Sequence, residues 1–240
     1  MNHVIKEIES TSKNIFSKST FILEETGYGI YAISGDYLTD AVSNWKNQQS
    51  PIKVLKWFDD FWLYLEIKFI KVTNEYKDWK KDKRDEYEFL LTKQCIKFED
   101  DFYQTFVTLS VFQGDDEDKV KAQLFRAEWD SFADNVLHPQ PHWHILLSKY
   151  DQKTTEDFET YMEMNKEQGF EELMKSDGKK LIDIKRFHFA MCGHWTLNNG
   201  KTYIHSIESC VTLNNWITGV LTHIKEQLEY LKCQQNSNIQ

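Results

Sequence analysis

Two periodicities compete along the first hundred residues. Val4, Ile5, Ile8, Ile15 and Phe16 recur on one helical face, which predicts an amphipathic helix over residues 2–18. In the stretch FILEETGYGIYAIS (21–34), Gly27 and Gly29 interrupt any helix, and short strands fit there. Asp36 predicts the cap of a second helix carrying Leu38, Ala41, Val42 and Trp45. Ser50 and Pro51 predict the start of a third, with Ile52, Leu55, Phe58, Trp62, Leu65, Phe69, Val72, Tyr76 and Trp79 at steps of three and four. Within it LEIKFIKV also alternates with period two, as a strand would. The mixed charges of KDWKKDKRDE suit a solvated helix end or turn. Tyr87, Leu90, Leu91, Cys95 and Phe98 then predict a further helix.

From about residue 102 the alternation turns strand-like. YQTFVTLSVF, KVKAQLFRAEWDSF and HWHILLSKY predict an antiparallel meander, with GDDED at 114–118 as a turn. TTEDFETYMEMNKEQGFEELMKSDG reads as a helix broken near Gly169, and KLIDIKRFHFAM reads as another strand. Leu213, Trp216, Ile217, Val220, Leu221, Ile224, Leu228 and Leu231 define a closing helix. The fold class these patterns predict is α+β. An antiparallel sheet of the central and C-terminal half packs against several long amphipathic helices. One domain is expected over 1–240, helical at about 1–100 and sheet-containing at about 101–233. With 9 glycines and 3 prolines there is little turn chemistry for a large β-sandwich or barrel, which supports the same choice.

Hydrophobic residues at 40% and aromatics at 15% supply a core and argue against disorder. The expected core includes Trp62, Leu65, Phe69, Phe125, Trp129, Trp143, Ile145, Phe187, Phe189, Trp216, Val220 and Leu228. The net charge of −9 argues against coating of nucleic acid and leaves room for a pocket that takes one nucleotide or RNA end. Cys95, Cys192, Cys210 and Cys233 are scattered without CxxC spacing and read as reduced thiols. No run of about 18 apolar residues predicts a membrane span. The N-terminal decapeptide MNHVIKEIES is not patterned as a signal peptide, so a cytoplasmic protein is expected.

Candidate chemistry sits on the polar faces of three strand-like segments. In a strand, residues two apart share a face. Phe125, Ala127 and Trp129 oppose Arg126 and Glu128; Trp143, Ile145 and Leu147 oppose His142 and His144; Phe187, Phe189 and Met191 oppose Arg186 and His188. If the strands are neighbours, Arg126, Glu128, His142, His144, Arg186 and His188 converge. Arginines would then hold a phosphate, histidines would move protons, and Glu128 would orient a histidine. Pro139 and Pro141 stiffen the approach and fix His138, or simply mark the entry to an edge strand. No cofactor is required. The alternative is zinc on His138, His142 and His144, with His188 or Glu128 available to complete the set. Cys192 and His194 in MCGHW are spaced similarly, and read as a buried thiol beside a turn histidine.

PHWHILL resembles part of the histidine-triad nucleotide-hydrolase signature, with Gln140, His142, His144 and Leu146 at the alternating positions, one imidazole short. Gly200-Lys201-Thr202 resembles the end of a P-loop, but the loop's first glycine would fall at Trp195, and Asn198-Asn199-Gly200 fits a tight turn. The order RxE, HPxxHxH, RxHF and closing helix, over about 124–231, resembles uncharacterised bacterial proteins, some linked to phage-defence or toxin–antitoxin loci. The leading expectation is a metal-independent phosphodiesterase or nucleotide-processing enzyme, such as a ribonuclease-like toxin or defence effector acting on RNA or a nucleotide. The rival is a non-catalytic subunit with a protein partner in a defence or regulatory complex.

Overall fold

Where period two and the helical series compete, period two wins. The computed structural model describes residues 1–16, 19–45, 48–73, 95–118, 121–130, 140–145 and 207–237. In order these form helix α1 (Asn2–Ser12), a 3-10 turn (Lys13–Ile15), and strands β1 (Ile22–Gly27), β2 (Ile30–Ser34), β3 (Leu38–Trp45), β4 (Gln48–Phe58) and β5 (Phe61–Lys71). Strands β6 (Ile96–Phe98), β7 (Asp101–Gln113), β8 (Ala122–Asp130) and β9 (His142–Ile145) follow, then helix α2 (Cys210–Ser237).

The expectation of several long helices packed on a C-terminal sheet is therefore overturned. The described residues hold one large antiparallel sheet of nine strands and only two helices, one near each end. The segment from Ile52 to Phe69, expected as a helix, is the β4–β5 hairpin. A helix there would bury Trp62, Leu65 and Phe69 and scatter Phe61, Leu63 and Ile67. The strand buries Phe61, Leu63, Leu65, Ile67 and Phe69 on one side, and that greater apolar burial selects it. Asp36 caps no helix. Its carboxylate accepts hydrogen bonds from the Thr20 backbone N–H (2.7 Å) and hydroxyl (3.3 Å). The helix expected over 87–98 ends in strand β6, and its earlier part lies outside the described residues.

Carboxylate-bearing turns explain why the glycine count understated the sheet. Asp59-Asp60 joins β4 to β5 with Asp59 at φ 46°, and Glu99-Asp100 joins β6 to β7 with Glu99 at φ 54°. Asp tolerates this left-handed backbone better than most residues. Two turns demand glycine: at Gly29 (φ 70°) a Cβ would lie 2.5 Å from the Phe69 carbonyl oxygen, and at Gly35, between β2 and β3, it would run into the Thr20 carbonyl oxygen.

The main path of the sheet is β1-β2-β5-β7-β8-β9, and every pair is antiparallel. One edge of β5 pairs along its full length with β7. The other is shared by β4, at Phe61–Leu63, and β2, at Glu66–Lys68. The β7–β8–β9 meander follows the alternation read from the sequence. The two helices lay Val4, Ile5 and Ile8, and Leu213, Ile217, Leu221, Ile224, Leu228 and Leu231, onto the face formed by Leu65, Val107, Leu109, Phe125, Ala127 and Trp129.

The opposite face is concave. The sheet curls until β3 approaches β8, enclosing Ala41, Val54, Trp62 and Phe112 in a second small core. Of the expected core, Trp62, Leu65, Phe69, Phe125, Trp129 and Leu228 are buried, and Trp143, Trp216 and Val220 are partly buried. Ile145 departs from it, at 49% exposed on β9, the last strand of the sheet among the described residues. Phe187 and Phe189 lie outside the described residues.

Candidate functional site

Strand alternation places a polar strip on the concave face. Tyr64 on β5, Ser110 on β7, Arg126 on β8 and His144 on β9 are successive register partners. Glu66, Thr108, Glu128 and His142 form the parallel row beside them. Cross-strand neighbours on one face hold their Cβ atoms about 5 Å apart, close enough for side chains to share one cluster. The start of β9 is tied down by Gln140, whose buried side-chain carbonyl accepts the Asp130 backbone N–H at 2.9 Å. At the position where the histidine-triad resemblance would ask for a third imidazole, Gln140 thus joins β9 to the end of β8.

Glu128 is the centre of the cluster. Its Oε1 lies 2.7 Å from Arg126 Nε. Its Oε2 lies 3.2 Å from His144 Nε2 and 3.4 Å from His142 Nε2. The two imidazoles meet edge to face, ring planes at 76°, with Nε2 atoms 2.8 Å apart. Exposure rises outward across the group, from 5% for the Arg126 side chain to 13% for Glu128 and 39% for His144.

Burial raises the Glu128 carboxyl, but the hydrogen bond from His142 and the charge of Arg126 outweigh it, and the carboxyl is held below its ordinary value. Glu128 is therefore an anion at neutral pH. Burial and the Arg126 charge push His144 down against the pull of Glu128, so its ring is neutral there. Burial lowers Arg126 while Glu128 opposes the shift, and the guanidinium stays charged.

Four of the residues singled out from the sequence, Arg126, Glu128, His142 and His144, stand together. His138, Arg186 and His188 lie outside the described residues, as do Cys192, His194 and Gly200–Thr202. Glu128, His142 and His144 bring three metal-ligating atoms within 4.8 Å of one another. Glu128 is one of the residues the sequence offered to complete a set with His142 and His144, and His138 lies outside the described residues. Sequence reasoning passed over Tyr64, Thr108 and Ser110, although the alternation in FWLYLEIKF and FVTLSVF puts them on the polar face. Ser110 is buried and accepts a hydrogen bond from Gln123 Nε2 at 3.1 Å. Burial and then Glu66 raise the Tyr64 phenol, which stays protonated.

No helix among the described residues is long and apolar enough to cross a membrane. Compared with protein-family models, curated proteins and solved structures, the chain matches none.

Proposed function

We propose that this chain is a hydrolytic enzyme of the bacterial cytoplasm acting on a phosphodiester of RNA or on a nucleotide, with its reaction centre where β8 and β9 meet on the concave face. One observation carries the reading: Glu128, His142 and His144 aim a carboxylate oxygen and two ring nitrogens at a single point open on the His144 side. Such a group can generate a nucleophile from water or a ribose hydroxyl. Arg126 is committed to Glu128. For holding the phosphate and protonating the leaving oxygen the sequence offers Arg186 and His188, which lie outside the described residues. A thiol mechanism has little support among the described residues. Cys95 is buried, and its thiol is pushed up to about 11. The thiols of Cys95 and Cys210, which form no disulfide, suit a reducing compartment.

Purified protein is expected to cleave RNA or a nucleotide, and His144→Ala to abolish cleavage while leaving the circular dichroism spectrum unchanged. Full activity in both His142→Ala and His144→Ala would remove the site. The second reading, a non-catalytic subunit of a bacterial defence or regulatory complex, is favoured by one feature. Ile145 is a large apolar residue exposed on β9 beside His144. A stable partner lost on Ile145→Asp, together with no catalysis, would support it.

A further inference from the structure

The Glu128–His142–His144 group is arranged more closely than proton transfer requires. Two imidazoles turn the same atom, Nε2, toward each other at 2.8 Å and toward one oxygen of Glu128 at 3.2 and 3.4 Å. With neutral rings a hydrogen bond across that gap needs one Nε2 as donor and the other as acceptor, so two equivalent ring atoms must take opposite tautomers. A cation at their common focus resolves this, since both rings then offer lone pairs and the carboxylate offers a third.

We propose that Glu128 Oε2, His142 Nε2 and His144 Nε2 bind one divalent transition-metal cation of the zinc class. Metal–nitrogen bonds of about 2.0–2.1 Å in a tetrahedron set ligand atoms roughly 3.3 Å apart. The three separations in this group, 2.8, 3.2 and 3.4 Å, bracket that edge. Side-chain adjustments of about half an ångström are enough to seat the ion. Two nitrogens and one carboxylate oxygen favour zinc or a neighbouring first-row ion over magnesium or calcium, which prefer all-oxygen shells. Arg126 engages Oε1 and so leaves Oε2 to the cation, the arrangement in which an outer residue orients a ligand. Three protein ligands leave a fourth position, and the exposure of His144 puts that position on the solvent side.

The inference deepens the hydrolytic reading and rests on it for the reaction alone: a bound cation would lower the pKa of a water at the fourth position and polarise a phosphoryl oxygen. Metal uptake itself is measured without substrate. The full-length chain, stripped with chelator and titrated with zinc chloride and separately with cobalt chloride, is expected to retain about one equivalent after gel filtration. Cobalt should give a visible absorption band that zinc abolishes. Glu128→Gln and His142→Ala should each weaken uptake at least tenfold, and Arg126→Gln by about 10–100-fold. His3→Ala and His223→Ala, outside the cluster, should leave it unchanged. If the inner variants fail to fold, His144→Gln on the open side serves alone.

Less than a tenth of an equivalent with no cobalt band, or undiminished uptake in His142→Ala/His144→Ala, would overturn the proposal. Metal uptake without cleavage of RNA or nucleotides would retain the metal centre and sink the hydrolytic reading. Cleavage by a chain that takes up no metal would do the reverse.

Discussion

Arg126 and His144 are direct register partners across β8 and β9, yet both turn to the same residue, Glu128, one step along the strand face. A cation and a neutral ring that would gain little from each other are organised by the one carboxylate between them. Removing Glu128 therefore takes from the buried Arg126 guanidinium a carboxylate at 2.7 Å. Glu128→Ala should cost about 3 kcal/mol in urea unfolding, the lower end of what breaking a buried pair costs, because the His144 side is open. An unchanged midpoint would show that solvent already screens Arg126.

Asp60 links the sheet to the last helix. Its carboxylate accepts hydrogen bonds from Lys232 Nζ at 2.7 Å and Gln113 Nε2 at 2.7 Å. Burial raises its pKa, but these two partners more than offset that and leave it below the ordinary aspartate value. A depressed folded pKa stabilises fully above the unfolded value, about 3.9, and that stability is lost as pH falls through the folded value. Wild type should exceed Asp60→Asn by a constant margin near neutrality, and the two should converge in acid below about pH 4. A gap that widens on acidification would contradict the assignment.

Gly29 is a turn position with little tolerance. Gly29→Ala needs a left-handed backbone and brings Cβ against the Phe69 carbonyl oxygen. A loss of about 1–3 kcal/mol is expected, measured by thermal or urea unfolding. A neutral result would mean that the β1–β2 turn rearranges at no cost.

Trp129 and Ile145 separate the buried and exposed ends of the meander. Trp129 is buried against Trp216 of α2, ring centroids 5.1 Å apart. Trp129→Ala should cost about 3–5 kcal/mol. Ile145→Ser should change stability by less than about 0.5 kcal/mol, as for an exposed position. Equal losses at the two sites would place Ile145 in a buried setting.

The candidate cluster was legible because strand alternation is local: RAEWD and HWHI each show their ionisable face without knowledge of any neighbour. Their pairing followed from adjacency in the chain. The N-terminal half was misread because Ile52, Leu55, Phe58, Trp62, Leu65 and Phe69 satisfy helical spacing while Phe61, Leu63, Leu65, Ile67 and Phe69 satisfy strand spacing. Only tertiary burial decides between two such series. The hairpins between these strands were hidden for a related reason. Asp59 and Glu99 take backbone conformations usually assigned to glycine, and no pattern of residue types announces them. Ile145 was expected inside because alternation assigns a face, whereas what packs onto that face decides whether it is covered.

The two helices meet across nearly the whole length of the chain. Asn214 Nδ2 approaches Thr11 Oγ1 at 3.3 Å, and Lys225 Nζ reaches the Ile15 carbonyl oxygen at 3.3 Å. During synthesis the strands emerge well before the helix that shields their apolar side. Until α2 arrives, Leu65, Leu109 and Phe125 face solvent beside an incomplete helical layer. A chain cut ahead of Ile207 retains all nine described strands but not that shield. It should collect in the insoluble fraction or on chaperones, and α2 supplied as a separate peptide should draw it back into solution.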